Sequence, residues 1–372
     1  MSDPLPPLAV IPPGMSSLAA YEARAAAHMA ADAWAYLQEG TGDDITVAEN
    51  RAAFDRLRLL PRILADLRGG NTALELFGRC HETPVMLGPV AYHRLAHPEG
   101  ELATVRAATA LGVGMVVSTL ASFTMEEIAE AARAAARELG VPVPPLWFQL
   151  YLQEDRGFSA ELVQRAEAAG YEAVMLTVDA SIKRATLTLP AGVEAANLRG
   201  MPRHRQTADA GGRILFGTPL ADSAPRWSDL EWLRSQTSLP LIVKGVMAAP
   251  DALQALSLGV DGLVISNHGG RVLDGMPSAL DVLPSIAAAT GGKVPLLLDG
   301  GVRRGTDVAK ALALGASAIM LGRPQIHGLA VAGLAGVAHM LHLLRAELEL
   351  TMAQLGCPTL ADLRPDRLFP QL

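Results

Sequence analysis

A histidine and an arginine stand three residues apart in "SNHGGR", Ser266 to Arg271, directly after the apolar run Leu263–Ile265. The run reads as a buried strand, so its polar tip needs a reason. A histidine titrates near neutrality and can take or give a proton. An arginine offers a planar fork to a carboxylate. Asp179 ends another apolar run, "AVMLTVD", and could orient the imidazole of His268. A carboxylate at a strand end often caps the next helix, but a loop follows here. Lys244 ends "PLIVKG" and reads either as a salt-bridged structural residue or as positive charge set against a cofactor ring. "LDGGVRRGTDVAKALALGASAIMLGRP" places Gly300 and Gly301 after one run and Gly322-Arg323 after the next. Glycines let the backbone approach an anion, helix N-termini supply donors to it, and Arg303 and Arg323 add charge. Simple turns and a solvated Arg303-Arg304 pair are the plain alternative.

The elements that must position these residues form a repeat. Eight short runs rich in Val, Ile and Leu lie near residues 86, 116, 149, 176, 243, 265, 298 and 320, each followed by a turn and an alanine-rich helical stretch. Runs apolar on both faces indicate parallel strands covered by helices. Eight such units predict an α/β fold, a closed (β/α)8 TIM barrel. An open doubly wound sheet would call for a Gly-rich fingerprint after the first strand, and the sequence has none. The strand ends are then Gly88-Pro89-Val90-Ala91, Ser118, Gln149 with Tyr151, Thr177 with Asp179, Lys244, Ser266 to Arg271, Asp299-Gly300-Gly301 and Gly322-Arg323. All would point at one mouth, where barrel enzymes keep their active sites.

The chain is expected to be a single domain, 1–372, with a helical N-terminal cap over 1–60 and the barrel over 61–330. Within the cap, Ser16 or Ser17 would start a helix running to about Glu39, stopped by Gly40, and "TVAENRAAFDRL" would form a second. A loop over about 180–228, after the fourth strand, would act as a lid. Residues 331–372 would be a C-terminal helix and tail, and "IHGLAVAGLAGVAHMLHLLRAELEL", interrupted by His327, His339, His342 and Arg345, reads as a long packed helix. A formal charge of −7 argues against nucleic acid or an anionic membrane as partner. Two cysteines, Cys80 and Cys357, and an N-terminus without a signal-peptide pattern suggest a cytoplasmic protein without a disulfide framework or a metal site. His28, His339 and His342 read as ordinary helix residues, whereas His93 and His97 could line the rim.

From about Tyr21 to Leu363 the chain resembles the FMN-dependent L-2-hydroxy acid oxidases and dehydrogenases, the family of glycolate oxidase, lactate oxidase and mandelate dehydrogenase. "SNHGGR" and "LDGGVRRGTDVAKALALGA" carry the resemblance, with "FQLY", "LTVD", "LPLIVKGV", "AHPEGE" and "GRP" in the family order. It implies oxidation of an (S)-2-hydroxy acid to the 2-oxo acid, with FMN as cofactor. His268 would be the base, and Asp179 would hold its imidazole. Arg271, Tyr36 and Tyr151 would bind the substrate. Lys244 would lie by the flavin N1 and C2 carbonyl edge. Pro89, Val90 and Ala91 would run past the flavin near N5, and Ser118, Gln149, Thr177 and Ser266 would contact the flavin or ribityl chain. Asp299 would take ribityl hydroxyls. Gly300, Gly301, Val302, Arg303, Gly322 and Arg323 would form the phosphate site. The second partner would be an electron acceptor, dioxygen or a quinone, and relatives suggest a homotetramer.

The sequence departs from the family in places. Where a second carboxylate-binding arginine is usual, Thr186 stands, with Arg184 two residues earlier. Either Arg271 and the tyrosines hold the carboxylate alone, or Arg184 reaches the site from the same side of an extended segment. Leu120 replaces the tryptophan of glycolate oxidase, which leaves room for a side chain larger than that of glycolate, as in lactate or mandelate. "PVAYH" resembles the hydroxymandelate oxidases and leans towards an aryl substrate. Two other activities stay open: a decarboxylating enzyme like lactate monooxygenase, separated by product analysis under air, and a flavin-binding protein without turnover, separated by the absence of anaerobic bleaching.

Overall fold

The computed structural model describes residues 4–180, 187–201 and 214–369; Arg184 lies outside the described residues. Three helices lead: α1 (Leu18–Ala25), α2 (Ala31–Gln38) and α3 (Ile45–Arg56). A hairpin follows, β1 (Leu74–Leu76) with β2 (Arg79–His81). Then come β3 (Val85–Leu87), α4 (Gly100–Ala110), β4 (Gly114–Ser118), α5 (Met125–Leu139), β5 (Leu146–Leu150), α6 (Arg156–Ala169) and β6 (Ala173–Thr177). Beyond the long loop lie α7 (Pro219–Asp222), α8 (Trp227–Gln236), β7 (Leu241–Val246), α9 (Ala249–Ser257), β8 (Gly262–Ile265), α10 (Ala279–Thr290), β9 (Leu296–Asp299), α11 (Gly305–Ala313), β10 (Ala318–Leu321) and α12 (Arg323–Gln354). Strands β3 to β10 are the eight expected, all parallel, and β10 pairs back onto β3 to close the barrel.

The alternation of side chains explains why these strands are apolar on both faces. Met86, Val116, Trp147, Met175, Ile242, Val264, Leu297 and Met320, one from each strand, fill the barrel interior. Their sequence neighbours, such as Val85, Val117, Phe148 and Leu263, face the surrounding helices. Hairpin residues Leu74, Leu76 and Phe77 pack onto the interior cluster and close its lower end. Three-residue strands leave too short a period to be read from sequence. The parallel register brings the polar tips level: Ser118 beside Gln149, and Thr177 beside Lys244.

Two expectations about helices are corrected. Ser17 does cap a helix, its hydroxyl accepting from Ala20 N, but the helix does not run to Glu39. The chain turns extended at Met29 (φ −125°, ψ 151°), and α2 starts anew. Likewise α12 is not one continuous rod: Ala332 and Gly333 leave helical geometry, and Gly333 takes φ +55°. The break lets the two segments come together where Gly328 and Gly336 meet, a place where a Cβ on Gly336 would fall 2.0 Å from the Gly328 carbonyl oxygen. By length and composition α12 could cross a membrane, but 56% of its apolar window is buried within the protein. It packs on α1, α4 and α11.

Candidate active site

His268 and Asp179 meet as expected: Nδ1 of the histidine lies 2.9 Å from Asp179 Oδ1. Two backbone features bring this about. Strand β7 bulges between Lys244 and Val246, where Gly245 takes φ +109°. A side chain on Gly245 would sit 2.7 Å from the Asp179 Cβ, so the glycine makes room for the carboxylate. His268 itself is left-handed (φ +56°), followed by Gly269 and Gly270 at +64° and +79°. That tight curl points the imidazole back over the mouth, and Ser266 Oγ accepts the His268 N–H at 3.0 Å.

The electrostatics suit a neutral base. Burial and the nearby Lys244 ammonium lower the His268 pKa, and Asp179 opposes them without winning. Burial would raise the Asp179 pKa, but Lys244 and His268 outweigh it and hold the carboxyl below its usual range. Lys244 is 4% exposed, donates to Ser266 Oγ at 2.9 Å and pairs with Asp299 Oδ2 at 3.1 Å. Burial favours its neutral form, yet Asp299 and Asp179 keep it charged. Both sequence readings of Lys244 therefore meet in one residue: it is salt-bridged, and it carries positive charge at the mouth.

Several buried polar atoms around this pair have no hydrogen-bond partner among the described residues: Gln149 Nε2, Thr177 Oγ1, Asp299 Oδ1 and Asp179 Oδ2. Gln149 spends its oxygen on the Ser118 hydroxyl at 3.1 Å, leaving its amide donors unused. Buried polar groups are seldom left unpaired, so this ring of donors and acceptors fits a polar, planar group with hydroxyls along its tail. At the far side Arg323 lies within electrostatic reach of both Arg271 and Arg303. Burial first, then the two neighbouring guanidinium groups, push the Arg323 pKa down to about 10. Glu22 pairs with Arg303 at 2.9 Å and also acts on Arg323. An excess of half-buried positive charge there fits a phosphate. Beside it, a Cβ on Gly322 would meet nothing within 4 Å. Gly301 has a packing role as well: a Cβ there would fall 2.0 Å from Asn50 O, so this glycine lets α3 approach the loop after β9.

Arg271 is already engaged. Its guanidinium donates to the carbonyls of Tyr36, Leu37 and Glu39 at 2.7 to 2.9 Å and lies 5.1 Å from the Tyr36 ring centroid. Arg323 joins it there, donating to the Leu37, Gln38 and Gly269 carbonyls. The carbonyl end of α2, which carries partial negative charge, thus orients both arginines. Tyr151 is nearby and feels Asp179, Tyr36, Arg271 and Tyr92; burial raises its pKa. His93 and His97 do not line the rim. His93 is 1% exposed, with Nδ1 3.0 Å from Thr104 Oγ1. His97 Nδ1 accepts the Glu99 N–H.

Positioning residues without a local motif complete the site. Asn50 of α3 and Asn267 exchange two amide hydrogen bonds of 2.9 Å, both side chains being buried. Asp307 receives the N–H groups of Arg303 and Arg304 at 2.9 Å each and binds Arg51 through both oxygens. Gln325 Nε2 donates to the Gly88 and Leu321 carbonyls, tying β3 to β10. Asn50→Ala leaves the buried Asn267 amide half-satisfied, and an expected loss of about 2 kcal/mol can be read from urea unfolding.

The comparisons with known proteins decide the family. The pattern of the FMN-dependent dehydrogenases matches residues 25–370. The chain belongs to the FMN-dependent dehydrogenase family. It is 48% identical to an L-lactate oxidase of Alicycliphilus denitrificans, over 97% of this chain and 98% of that protein. It is 39% identical to human 2-hydroxyacid oxidase 1, over 91% and 92%. A crystal structure of mandelate oxidase superposes with a TM-score of 0.82 at 38% identity, covering 96% of this chain and 98% of that one. Within this FMN-dependent dehydrogenase family the expected barrel, cofactor and 2-hydroxy acid oxidation are borne out.

Proposed function

We propose that this enzyme oxidises an (S)-2-hydroxy acid with a side chain larger than that of glycolate, His268 acting as the base. The observation that carries this reading is the half-buried His268–Asp179 pair at 2.9 Å, in a mouth that also holds Lys244 and Arg271. FMN, when bound, takes up the two electrons and passes them on to an acceptor. Gln149, Thr177, Ser118, Ser266 and Asp299 would hold its ring and ribityl chain, Pro89 to Ala91 would line its edge, and Arg303, Arg323, Val302 and glycines 300, 301 and 322 would surround its phosphate.

The protein's own part follows from its geometry. With Nδ1 hydrogen-bonded to a carboxylate, the imidazole presents Nε2 as the basic nitrogen. His268 removes a proton from the substrate, and Asp179 stabilises the imidazolium that results. Arg271 has five N–H donors, of which three meet the carbonyls of Tyr36, Leu37 and Glu39 at the end of α2. It holds the substrate carboxylate beside Tyr36 and Tyr151. Lys244 places positive charge on the side where negative charge collects. Dioxygen as acceptor, a cytoplasmic location and a homotetrameric state belong to the same proposal. The names of the relatives support the first, and the two free cysteines suit the second.

The test is to mix the yellow holoenzyme anaerobically with glycolate, lactate, mandelate, 4-hydroxymandelate and a long-chain 2-hydroxy acid. Bleaching names the substrate, and air admitted afterwards shows whether oxygen restores the colour. If none of the acids bleaches the flavin, the reading fails. A pH profile adds a prediction. Burial and Lys244 lower the His268 pKa, so the neutral base persists into more acidic solution. The acid limb of kcat/KM is therefore expected to have its midpoint below about 6.5, the ordinary histidine value. Asp179→Asn removes the raising influence and moves the limb further towards acid.

A further inference from the structure

In the described loops that follow the barrel strands β3 to β10, two non-glycine residues adopt the left-handed conformation: His268 and Tyr92 (φ +55°, ψ +55°). For a bulky aromatic residue this backbone is strained and survives only where the surroundings impose it. Here they do. Tyr92 N donates to Leu120 O at 3.1 Å. One oxygen of the buried Glu101 carboxylate accepts both His93 N at 3.0 Å and Ser122 N at 2.9 Å. The loop after β3 is thereby stapled to the loop after β4, with Tyr92 and Leu120 at the seam. If the position needed only a turn, glycine would provide it without strain. What glycine would lack is the phenol ring.

We propose that Tyr92 is a specificity-determining residue, its ring forming with Leu120 a wall of the substrate side-chain pocket that favours aryl over methyl side chains. This rests on the reading that the mouth oxidises 2-hydroxy acids. Tyr92 directly follows Ala91 at the β3 tip and is half-buried. Its influence on Tyr151 places it on the side of Asp179 and Arg271. An aryl side chain meets a tyrosine ring edge to face and gains contact that a methyl group cannot make.

The test compares wild type, Tyr92→Gly and Tyr92→Phe as holoenzymes. The readouts are kcat/KM for mandelate and lactate, and flavin-absorbance titrations with benzoylformate and pyruvate. In Tyr92→Gly the mandelate-to-lactate ratio is expected to fall at least tenfold, and the benzoylformate-to-pyruvate affinity ratio to fall with it. Tyr92→Phe keeps both ratios within about threefold, because the ring and not the hydroxyl makes the contact. Glycine suits φ +55°, so the urea midpoint of Tyr92→Gly holds and separates selectivity from folding. The proposal is overturned by ratios that do not change in Tyr92→Gly, or by a wild type that oxidises lactate but not mandelate. A wild type bleached by no 2-hydroxy acid would instead overturn the underlying reading.

Discussion

His268→Ala is expected to keep FMN bound and to be reduced anaerobically by its 2-hydroxy acid at least ~100-fold more slowly than wild type, the usual cost of losing a general base. The imidazole is 20% exposed and its ring partner among the described residues is Asp179, whose carboxyl is held below its usual range and so is the weaker base. Apart from Ser266, the groups assigned to the cofactor sit on other strand ends, which is why binding should persist. Alanine at this left-handed position could add a backbone cost of its own. His268→Gly controls for that, since glycine accepts φ +56° freely and should show the same slow reduction. Stopped-flow bleaching with a parallel count of bound flavin decides the matter, and a wild-type rate in both variants would remove His268 from the role of base.

Lys244→Met is expected to cost about 3 kcal/mol of stability, because breaking a buried ion pair strands the other charge. Asp299 is 14% exposed and has Lys244 as its ion-pair partner, and Asp179 also relies on that ammonium. Flavin reduction should slow by roughly 100-fold as well, as when one electrostatic group is lost from a preorganised site. Lys244→Met with Asp299→Asn separates the two effects. The double variant should regain most of the urea midpoint while remaining slow. Recovery of rate together with stability would show that Lys244 serves the fold alone.

The barrel was legible because each strand announces itself locally, as in Leu263–Ile265 or Leu296–Leu298, where inward and outward residues are both apolar. His268, Asp179 and Lys244 were legible for a related reason: a polar group at the end of such a run has few uses. The hairpin at Leu74–His81 was not, since three residues per strand carry no period. Nor was the break at Met29, which neither glycine nor proline marks. Asn50 and Glu101 escaped on different grounds. The Asn50–Asn267 contact spans 217 positions, and a lone asparagine on a helix carries no sign of a partner that distant. Glu101 opens a helix, where acidic residues are common, and its two amide partners lie on separate loops.

The engagement of Arg271 and Arg323 with the carbonyl end of α2 has a thermodynamic corollary. The N-terminal cap and the two arginines proposed to bind anions are then linked equilibria. Whatever stabilises α2 also preorganises the arginines, and by reciprocity an anion that holds the arginines in place stabilises α2. Amide exchange in Ala31–Gln38 should therefore slow when the mouth is filled, although none of those amides need touch the ligand. On the proposed reading of the mouth, the leading helices are part of the affinity for the substrate, and the barrel alone would be an incomplete binding partner.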